Sequence, residues 1–270
     1  MWLAGHRIQR LSRPVAAGET FSLVLDAREE GPQPELAPRI LHEDRWLVAL
    51  DKPAGLPTEG TLASAHANAI AWAERRAGRR LFSVHRLDAG TSGVLVVAKS
   101  RPAATHLAAS FRDGKVHKLY LAVCAGALPA AQGTIDAPLA RGATPGRWQV
   151  ARGGQGLPAR TDYALLASSG SLLLVAARPR TGRTHQIRVH LAHAGAPILG
   201  DRRYRGPASV ALPGGGAFTS QRPLLHAAAL ELPHPRDGKP LRLAAPPPDD
   251  LASLLAAFGW DQAAAAAGAR

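Results

Sequence analysis

A loop at 83–93 carries polar residues whose types and spacing could support chemistry. It contains Arg86 and Asp88 together with glycines and hydroxyl side chains, and it lies between a predicted helix and an aliphatic strand. Catalytic groups tend to lie in loops that rigid elements hold in place. An aspartate in such a loop could equally accept hydrogen bonds from turn amides and do nothing else. The residues alone leave a catalytic and a structural interpretation of Asp88 open.

A second polar segment, 181–190, holds two arginines where a helix is predicted to begin. Thr184 can cap a helix over 185–194, and Gly195 then takes the C-cap position. Arg183 lies beside the helix N-terminus, where backbone N–H groups already favour an anion. Arg183 is therefore a candidate phosphate ligand.

Arg188 lies inside this predicted helix, beside the apolar face that Ile187 and Leu191 form. From there its side chain can reach into a cleft. An arginine next to a buried carboxylate holds that carboxylate ionised at neutral pH, as a nucleophile or a base requires. The alternative is a surface arginine that faces phosphate and takes no part in catalysis.

The same segment and its continuation contain three histidines, His185, His190 and His193, which could be interpreted as metal ligands. Helical spacing spreads the three rings around the axis, and no carboxylate or cysteine stands in a matching motif nearby. We therefore expect no metal site.

Two further residues, Tyr120 and Asp201, have both a structural and a functional interpretation. Tyr120 follows Lys118 at the start of a predicted strand, where it can fill the core or stack on an unstacked base. Asp201 lies in a tight loop at 197–204 that it is expected to order, with Arg202 and Arg203 available for phosphate.

The charge of the chain favours a polyanionic partner. Its 270 residues carry 33 Lys and Arg against 20 Asp and Glu, a formal net charge of +13. Nucleic acid is favoured over an acidic membrane surface, although such charge can also serve solubility alone.

The single cysteine, Cys124, excludes an internal disulfide and lies in an apolar run typical of a buried thiol. No stretch is long and apolar enough to span a membrane, so we expect a cytoplasmic protein.

Strand and helix patterns alternate along the chain without a strict repeat. Strands are predicted at 20–25, 46–50, 93–98, 118–124, 161–167, 172–177, 226–232 and 241–244. Helices are predicted at 62–77, ended by Gly78, and from Pro102 to 113. Residues 141–158 are rich in Gly and Arg and predict a mobile basic loop, and 206–216 predict an irregular stretch. The pattern indicates an α+β fold with a mixed, mainly antiparallel sheet and flanking helices.

The two polar segments closely resemble the signatures of one enzyme family. His-Arg-Leu-Asp at 85–88, followed by Gly-Thr-Ser-Gly at 90–93 and an aliphatic strand, resembles the signature of the RluA-type family of RNA pseudouridine synthases. The related RsuA type usually begins this motif with glycine, so His85 favours the RluA type. Other segments are similar to further motifs of this family and occur in the family's order. They are 48–55, 118–120, 181–190, 197–201, 225–227 and 234–235, so the resemblance covers about 39–245.

The resemblance implies the pseudouridine synthase fold with a central active-site cleft. It also implies an isomerase that acts on ribosomal or transfer RNA. In that reaction the bond between uracil nitrogen and ribose breaks, the base rotates and a carbon–carbon bond re-forms. The chemistry is redox-neutral, so we expect no cofactor and no metal. RNA is then the partner, and a monomer is expected.

The resemblance also implies roles for individual residues. Asp88 would be the catalytic carboxylate, which either attacks the sugar or acts through an eliminated intermediate. Arg188 would pair with Asp88, and Tyr120 would stack on uracil and could serve in proton transfer. Arg86 would fill the gap that the flipped nucleotide leaves in its stack.

RNA binding would fall to the remaining motif residues. Arg183 and the basic loop at 141–158 would hold backbone phosphates, and His85 would belong to the RNA-binding set. We expect three parts in the chain: a short β-rich arm and linker at 1–38, the catalytic domain at 39–250 and an Ala-rich C-terminal tail at 251–270, which is expected to be frayed after Gln262. Residues 1–38 resemble at most the remnant of an RNA-binding module, which leaves substrate selection to the catalytic domain.

Two other classes of protein remain as alternatives. A non-catalytic RNA-binding or ribosome-assembly factor would share the charge and the architecture but would not need Asp88 and Arg188 together. A nucleoside hydrolase or glycosidase usually requires two carboxylates that flank the bond, or a metal that activates water. The motifs supply one carboxylate, which disfavours the hydrolase.

Overall fold

The computed structural model describes residues 36–60, 67–151, 153 and 155–269, together with the backbone of three two-residue strands nearer the N-terminus. These strands form a small antiparallel sheet in the order β2-β1-β3: β1 (Trp2–Leu3), β2 (His6–Arg7) and β3 (Phe21–Ser22). The strand predicted at 20–25 is found at Phe21–Ser22, and its other residues lie outside the described ones.

Fourteen further strands follow along the described chain. They are β4 (Arg39–Glu43), β5 (Leu47–Lys52), β6 (Phe82–Ser83), β7 (Ser92–Ala98), β8 (His117–Ala125), β9 (Gln132–Asp136), β10 (Leu139–Arg141), β11 (Trp148–Val150), β12 (Arg160–Ser169), β13 (Leu172–Pro179), β14 (Ser209–Ala211), β15 (Ala217–Thr219), β16 (Leu225–Pro233) and β17 (Pro240–Ala244). Ten of them form the main sheet, in the order β4-β5-β7-β16-β8-β13-β12-β9, with β17 beside β16 and β6 beside β7. Of its strand pairs only β7 with β16 is parallel, which confirms the mixed, mainly antiparallel sheet.

Five helices flank the sheet, as expected for the α+β class. They are α1 (Ala69–Ala77), α2 (Arg101–Arg112), α3 (Gln186–His193), α4 (Asp249–Ala257) and α5 (Asp261–Ala269). The start of α1 differs from the prediction, because the Asn68 side chain accepts a hydrogen bond from the Ala71 N–H and caps the helix there. Its end at Gly78, which has a φ of 62°, is as predicted. Residues 62–66 of that predicted helix lie outside the described residues.

The alternation of side chains along β7 places helices on both faces of the sheet. Val94 and Val96 pack in one apolar cluster with α2, whereas Leu95 and Val97 pack in another with α1. Successive side chains of a strand point to opposite faces, so α1 and α2 cover opposite faces of the same strands. The largest cluster lies under α3, α4 and α5, and it includes the buried Cys124.

The parallel contact between β7 and β16 depends on a glycine. Gly93 has a φ of 109°, and a Cβ there would lie 2.2 Å from the Ala227 carbonyl oxygen. Because glycine has no Cβ, the two backbones can approach this closely. Ala227 also pairs with Tyr120 on its other side. The loop that precedes β7 therefore ends two strands away from Tyr120, at the middle of the sheet.

Two predictions about irregular segments hold only in part, and the prediction of a frayed C-terminal end is wrong. Residues 141–158 do not form only a loop, because β11 pairs with β10 and its Trp148 packs in a cluster with Leu139 and Tyr204. Within 206–216, β14 begins a hairpin with β15. The Ala-rich tail is helical in α5 rather than frayed, because alanine favours helix and Ala264 and Ala267 are buried against the core. No helix among the described residues is long and apolar enough to cross a membrane.

Candidate active site

A cleft of about 480 Å³ opens at the middle of the main sheet. Its walls are the loop between β6 and β7, the first residues of β8 and the segment that leads from β13 into α3. Asp88, Tyr120 and Arg188 line it from these three separate parts of the chain. The fold thus brings together the three residues that the sequence motifs singled out for catalysis.

Arg188 joins two carboxylates at the floor of this cleft. Its Nη1 donates to Asp88 Oδ2 at 2.9 Å, while its Nε and Nη2 donate to the two oxygens of Asp201 at 2.7 and 2.9 Å. Arg188 and Asp201 are buried, whereas the Asp88 side chain is 22% exposed. Burial alone would lower the pKa of Arg188, but the hydrogen bonds and charge of Asp201, followed by those of Asp88, raise it above its usual range. The guanidinium is therefore a fixed cation beside Asp88.

Asp201 is a site residue that sequence reasoning assigned only to loop order. Its backbone does close the loop, because the Gly206 N–H donates to the Asp201 carbonyl at 2.9 Å. Its carboxylate, however, is taken up entirely by Arg188 in a bidentate pair. The sequence signal for this role was that the family-like segment at 197–201, which follows the arginine-containing segment at 181–190, ends in an acid.

Tyr120 is half-buried on β8 and contributes its ring to the cleft. Burial raises the pKa of its phenol, and the charge of Asp88 raises it further. The hydroxyl therefore keeps its proton at neutral pH and is a hydrogen-bond donor in the cleft.

The start of α3 differs from the prediction, because Thr184 does not cap the helix. The helix begins at Gln186, and His185 occupies the N-cap position with a φ of 58°. The side-chain oxygen of Gln186 accepts hydrogen bonds from the Thr181 hydroxyl at 2.6 Å and from the Arg183 N–H at 3.0 Å. This glutamine fixes the turn in the place of a threonine cap. At the other end α3 stops at His193, with Ala194 as C-cap and Gly195 next in a left-handed conformation.

The three residues expected to bind RNA all line the cleft. Arg86 is exposed, and within the described part of the chain its side chain makes no ion pair. Arg183 Nε donates to the Pro158 carbonyl at 3.0 Å. His85 is more enclosed than a surface ligand, because its Nε2 accepts the Val96 N–H at 2.9 Å and its ring stacks on Phe111 with centroids 4.5 Å apart.

His85 is neutral in this position. Burial and, to a lesser extent, the charge of Lys118 lower its pKa to about 3. Because Nε2 accepts a backbone hydrogen bond, the ring proton of the neutral form is on Nδ1. His85 can offer RNA this one donor but no charge.

Two lysines that sequence reasoning did not select, the buried Lys52 and the half-buried Lys118, stabilise the loops around the cleft. Lys52 Nζ donates to the carbonyls of Pro53 and Leu56 at 2.8 Å and of Ala89 at 3.3 Å, so it ties its own loop to the one that carries Asp88. Burial lowers the pKa of Lys52 to about 7. Lys118 Nζ donates to the Thr181 carbonyl at 3.2 Å, and burial lowers its pKa to about 8. The Lys-Pro-Ala-Gly motif was the signal for Lys52.

The chemical groups available in the cleft are those of the side chains that line it. Among the residues that the structure describes, no three His, Cys, Asp or Glu side chains gather as a metal site. The cleft offers one accessible carboxylate, a rigid guanidinium, a neutral phenol and a rim of arginines. This combination on a mixed sheet places one carboxylate within reach of a substrate and surrounds it with groups that suit a polyanion.

Comparison with known proteins gives the family. Residues 46–193 match the family model described as RNA pseudouridylate synthase. The chain is 39% identical over 267 residues to a ribosomal large subunit pseudouridine synthase D of Xanthomonas campestris pv. campestris, covering 94% of this chain and 80% of the relative. It is 37% identical over 238 residues to a ribosomal large subunit pseudouridine synthase C of Vibrio cholerae, covering 83% and 73%.

Solved structures give the same result. Human RNA pseudouridylate synthase domain containing 4 superposes with a TM-score of 0.64 at 28% identity, covering 82% of this chain and 92% of the human one. Human RNA pseudouridylate synthase domain containing 1 gives 0.64 at 29%, covering 84% and 89%. The chain belongs to the RNA pseudouridylate synthase family, in its RluA type, and is an enzyme that isomerises uridine in RNA to pseudouridine. These comparisons confirm the resemblance to the RluA-type family. They do not support the alternatives of a non-catalytic RNA-binding factor or a nucleoside hydrolase.

Proposed function

We propose that the chain modifies uridines in the RNA of the large ribosomal subunit, with Asp88 as its catalytic carboxylate. The relatives at 39% and 37% identity are named for that RNA, which supports this substrate over transfer RNA. The observation that carries the assignment of Asp88 is its 2.9 Å contact with Arg188 at the floor of the cleft. Of the two carboxylates on this guanidinium, only Asp88 has an exposed fraction that substrate can reach.

The arrangement supports different roles for the two carboxylates, Asp201 and Asp88. Asp201 binds two guanidinium nitrogens and fixes the plane of Arg188. Arg188 then presents its remaining Nη1 to Asp88 and orients that carboxylate. Asp88 either attacks the sugar carbon or assists the departure of uracil through an eliminated intermediate. Both routes need the carboxylate beside the glycosidic bond, and both re-form the bond at carbon 5 of the rotated base.

Tyr120 is suited to hold the base during this rotation. Its ring lines the same cleft as Asp88 and offers a face on which uracil can stack. Its phenol keeps its proton at neutral pH, since burial raises its pKa. We assign to Tyr120 the stacking of uracil and a part in the proton transfer at the carbon that loses its hydrogen.

The rim residues are assigned to the RNA around the flipped nucleotide. Arg86 is exposed beside Asp88 and can enter the stack that the nucleotide leaves, which offsets part of the few kcal/mol that unstacking costs. Arg183, His85 and the arginines of the β10–β11 hairpin are assigned to the backbone on either side. The net charge of +13 supports this assignment.

We further propose a monomer in the cytoplasm, where bacterial ribosomal RNA is modified. Residues 39–250 are the proposed catalytic domain, and 1–38 are the proposed arm and linker. Sedimentation at micromolar concentration tests the oligomeric state: a mass near 28.3 kDa supports the monomer, and a mass near twice that value contradicts it.

The substrate assignment is tested with RNA labelled with tritium at carbon 5 of uridine. Transcripts of large-subunit ribosomal RNA and mixed transfer RNA are incubated with the enzyme, and tritium release and free uracil are both measured. We expect tritium release from the ribosomal transcript, at one or a few uridines per molecule, and no free uracil. Release only from transfer RNA contradicts the proposed substrate.

A further inference from the structure

His185 approaches Asp88 from a backbone conformation that few residues adopt. Its φ of 58° and ψ of 16° are left-handed, and the only other described non-glycine residue with a positive φ is Arg205. This conformation is unfavourable for most L-residues and persists where the surroundings hold it. It brings His185 Nε2 to 3.7 Å from Asp88 Oδ2. A strained residue beside the proposed catalytic group calls for a functional explanation.

The Tyr204 hydroxyl is placed to select which nitrogen of His185 carries the proton. It lies 2.7 Å from His185 Nδ1 and accepts the Trp148 N–H at 3.0 Å. Among the described residues Nδ1 is the one acceptor that the hydroxyl contacts, so a hydroxyl that donates within the protein donates to Nδ1. A neutral imidazole that accepts at Nδ1 carries its hydrogen on Nε2. In this arrangement the hydrogen lies on the nitrogen that faces Asp88.

The ring of His185 is neutral at physiological pH. Burial lowers the pKa of His185 below its ordinary value, although the carboxylate of Asp88 acts in the opposite direction. The neighbouring guanidinium of Arg188 lowers the pKa further. His185 thus offers Asp88 a directed N–H rather than a second positive charge.

Both groups that approach Asp88 approach the same oxygen. Arg188 Nη1 is 2.9 Å and His185 Nε2 is 3.7 Å from Oδ2. Oδ1 accepts no hydrogen bond from the residues that the structure describes. One oxygen of the carboxylate is held from two sides, and the other is left for the substrate.

We infer that His185 is a positioning residue for Asp88, and that Tyr204 holds it in the Nε2–H form. Arg188 and His185 together fix Oδ2, so that Oδ1 is the oxygen presented to the ribose. The 3.7 Å separation becomes a hydrogen bond after a shift of less than about 1 Å, as occurs when substrate fills an active site. The inference deepens the proposed function and rests on the proposed role of Asp88.

The protonation state is tested by nitrogen-15 NMR of imidazole-labelled enzyme. The chain has 11 histidines, so the His185 signal is assigned by its loss in His185→Asn, since asparagine tolerates the left-handed backbone. We expect the Nε2–H form in the wild type and a mixture of the two neutral forms in Tyr204→Phe. An Nδ1–H form in the wild type, or no change in Tyr204→Phe, overturns the inference.

The functional consequence is tested by single-turnover tritium release. For His185→Asn we expect a loss in the rate constant on the order of 10- to 100-fold, as for partners that orient a reacting group, and for Tyr204→Phe a smaller loss. RNA affinity is expected to stay within about 3-fold, because neither change removes a positive charge. Tyr163→Phe, which removes the hydroxyl of a buried tyrosine on β12, is the matched control and should react at the wild-type rate.

Asp88→Asn separates this inference from the role on which it rests. If Asp88→Asn still turns over, the assignment of Asp88 fails, whatever the result for His185. If Asp88→Asn is inactive while His185→Asn reacts at the wild-type rate, the assignment of Asp88 stands and the inference is overturned. A loss in His185→Asn that lies wholly in RNA affinity also overturns it.

Discussion

Arg188 uses three of its nitrogens to bridge two carboxylates that have unequal exposure. The bidentate pair with the buried Asp201 leaves Nη1 as the donor for Asp88, so the position of Asp88 depends on a residue that substrate does not touch. The planar fork of arginine makes this bridge possible, and a lysine could not replace it. At the scale of single residues, the proposed mechanism depends on a carboxylate, Asp88, that Arg188 orients and that Asp201 holds indirectly through Arg188.

Asp201→Asn tests this dependence. The amide keeps one acceptor but replaces the second with an N–H₂ group that faces the guanidinium, so Arg188 loses its fixed plane. We expect the free energy of unfolding to fall by about 3 kcal/mol and the tritium-release rate to fall on the order of 10- to 100-fold. The control is Asp162→Asn, which removes the partner of the exposed Arg180 and should change both quantities little.

Lys52 predicts a particular dependence of stability on pH. The pKa of Lys52 falls to about 7 in the folded protein from an ordinary value of 10.5. Between these values the unfolded state binds more protons, so this group makes the folded state more stable as pH rises from 7 towards 10.5. That contribution is lost again as pH falls through 7.

Lys52→Met isolates this effect, since methionine has a similar length and no charge. We expect the variant to be less stable at every pH because three carbonyls lose their donor. The difference in unfolding free energy from the wild type should widen between pH 7 and pH 10, as measured by urea denaturation. A difference that stays constant or narrows over this range argues against the lowered pKa.

At the scale of elements, the site depends on how closely the central strands approach. Gly93 allows β7 to lie against β16, and β16 in turn pairs with β8, which carries Tyr120. The loop with Asp88 enters β7 immediately before this contact. A change in the spacing of these strands therefore alters the distance between Asp88 and Tyr120.

Gly93→Ala should disturb both the fold and the site. Its Cβ would lie 2.2 Å from the Ala227 carbonyl oxygen in a backbone conformation that alanine avoids. We expect a loss of at least about 3 kcal/mol in the free energy of unfolding, measured by thermal or urea denaturation. Gly170→Ala is the matched control, because Gly170 also has a positive φ but open space around it, and it should lose only about 1 kcal/mol. Equal losses in the two variants would contradict the close approach.

Sequence patterns predicted those features that depend on neighbours along the chain. The runs at 93–98 and 172–177 lie in buried strands, and the motif order identified Asp88 and Arg188. The contact between these two residues spans 100 positions, so only the folded sheet could show it. Strand β11 was missed for the same reason, since Tyr204 contacts Trp148 from 56 positions away. The cap at His185 was missed because Gln186, rather than Thr184, accepts the hydrogen bonds that fix this turn.

At the scale of the whole molecule, we expect positive charge to be the main determinant of RNA affinity. The formal charge of +13 favours the binding of any RNA, and in the proposed function the arginines around the cleft select the surface that the RNA backbone follows. Affinity should therefore fall steeply with salt, whereas the chemical step in the bound complex should depend on salt only weakly.

Arg183→Ala tests the assignment of this residue to a phosphate. If Arg183 contacts one phosphate, the slope of log affinity against log salt concentration should become shallower by about 1 in the variant. Arg242→Ala removes an equal charge on β17, where Arg242 pairs with Glu231 of β16, and should leave the slope unchanged. The slopes are measured by filter binding from about 50 to 200 mM salt. Equal slopes in Arg183→Ala and the wild type would remove Arg183 from the RNA contacts.

The proposed function depends on the carboxylate of Asp88. Tritium release from labelled ribosomal RNA by Asp88→Asn, compared with Asp237→Asn, shows whether this carboxylate performs the chemistry. Asp237 is an exposed acid in the turn between β16 and β17, so its variant changes the charge equally without touching the cleft. We expect no detectable release by Asp88→Asn, RNA affinity within about 3-fold of wild type at fixed salt, and a normal rate for Asp237→Asn. Substantial turnover by Asp88→Asn would rule out the assigned role of Asp88.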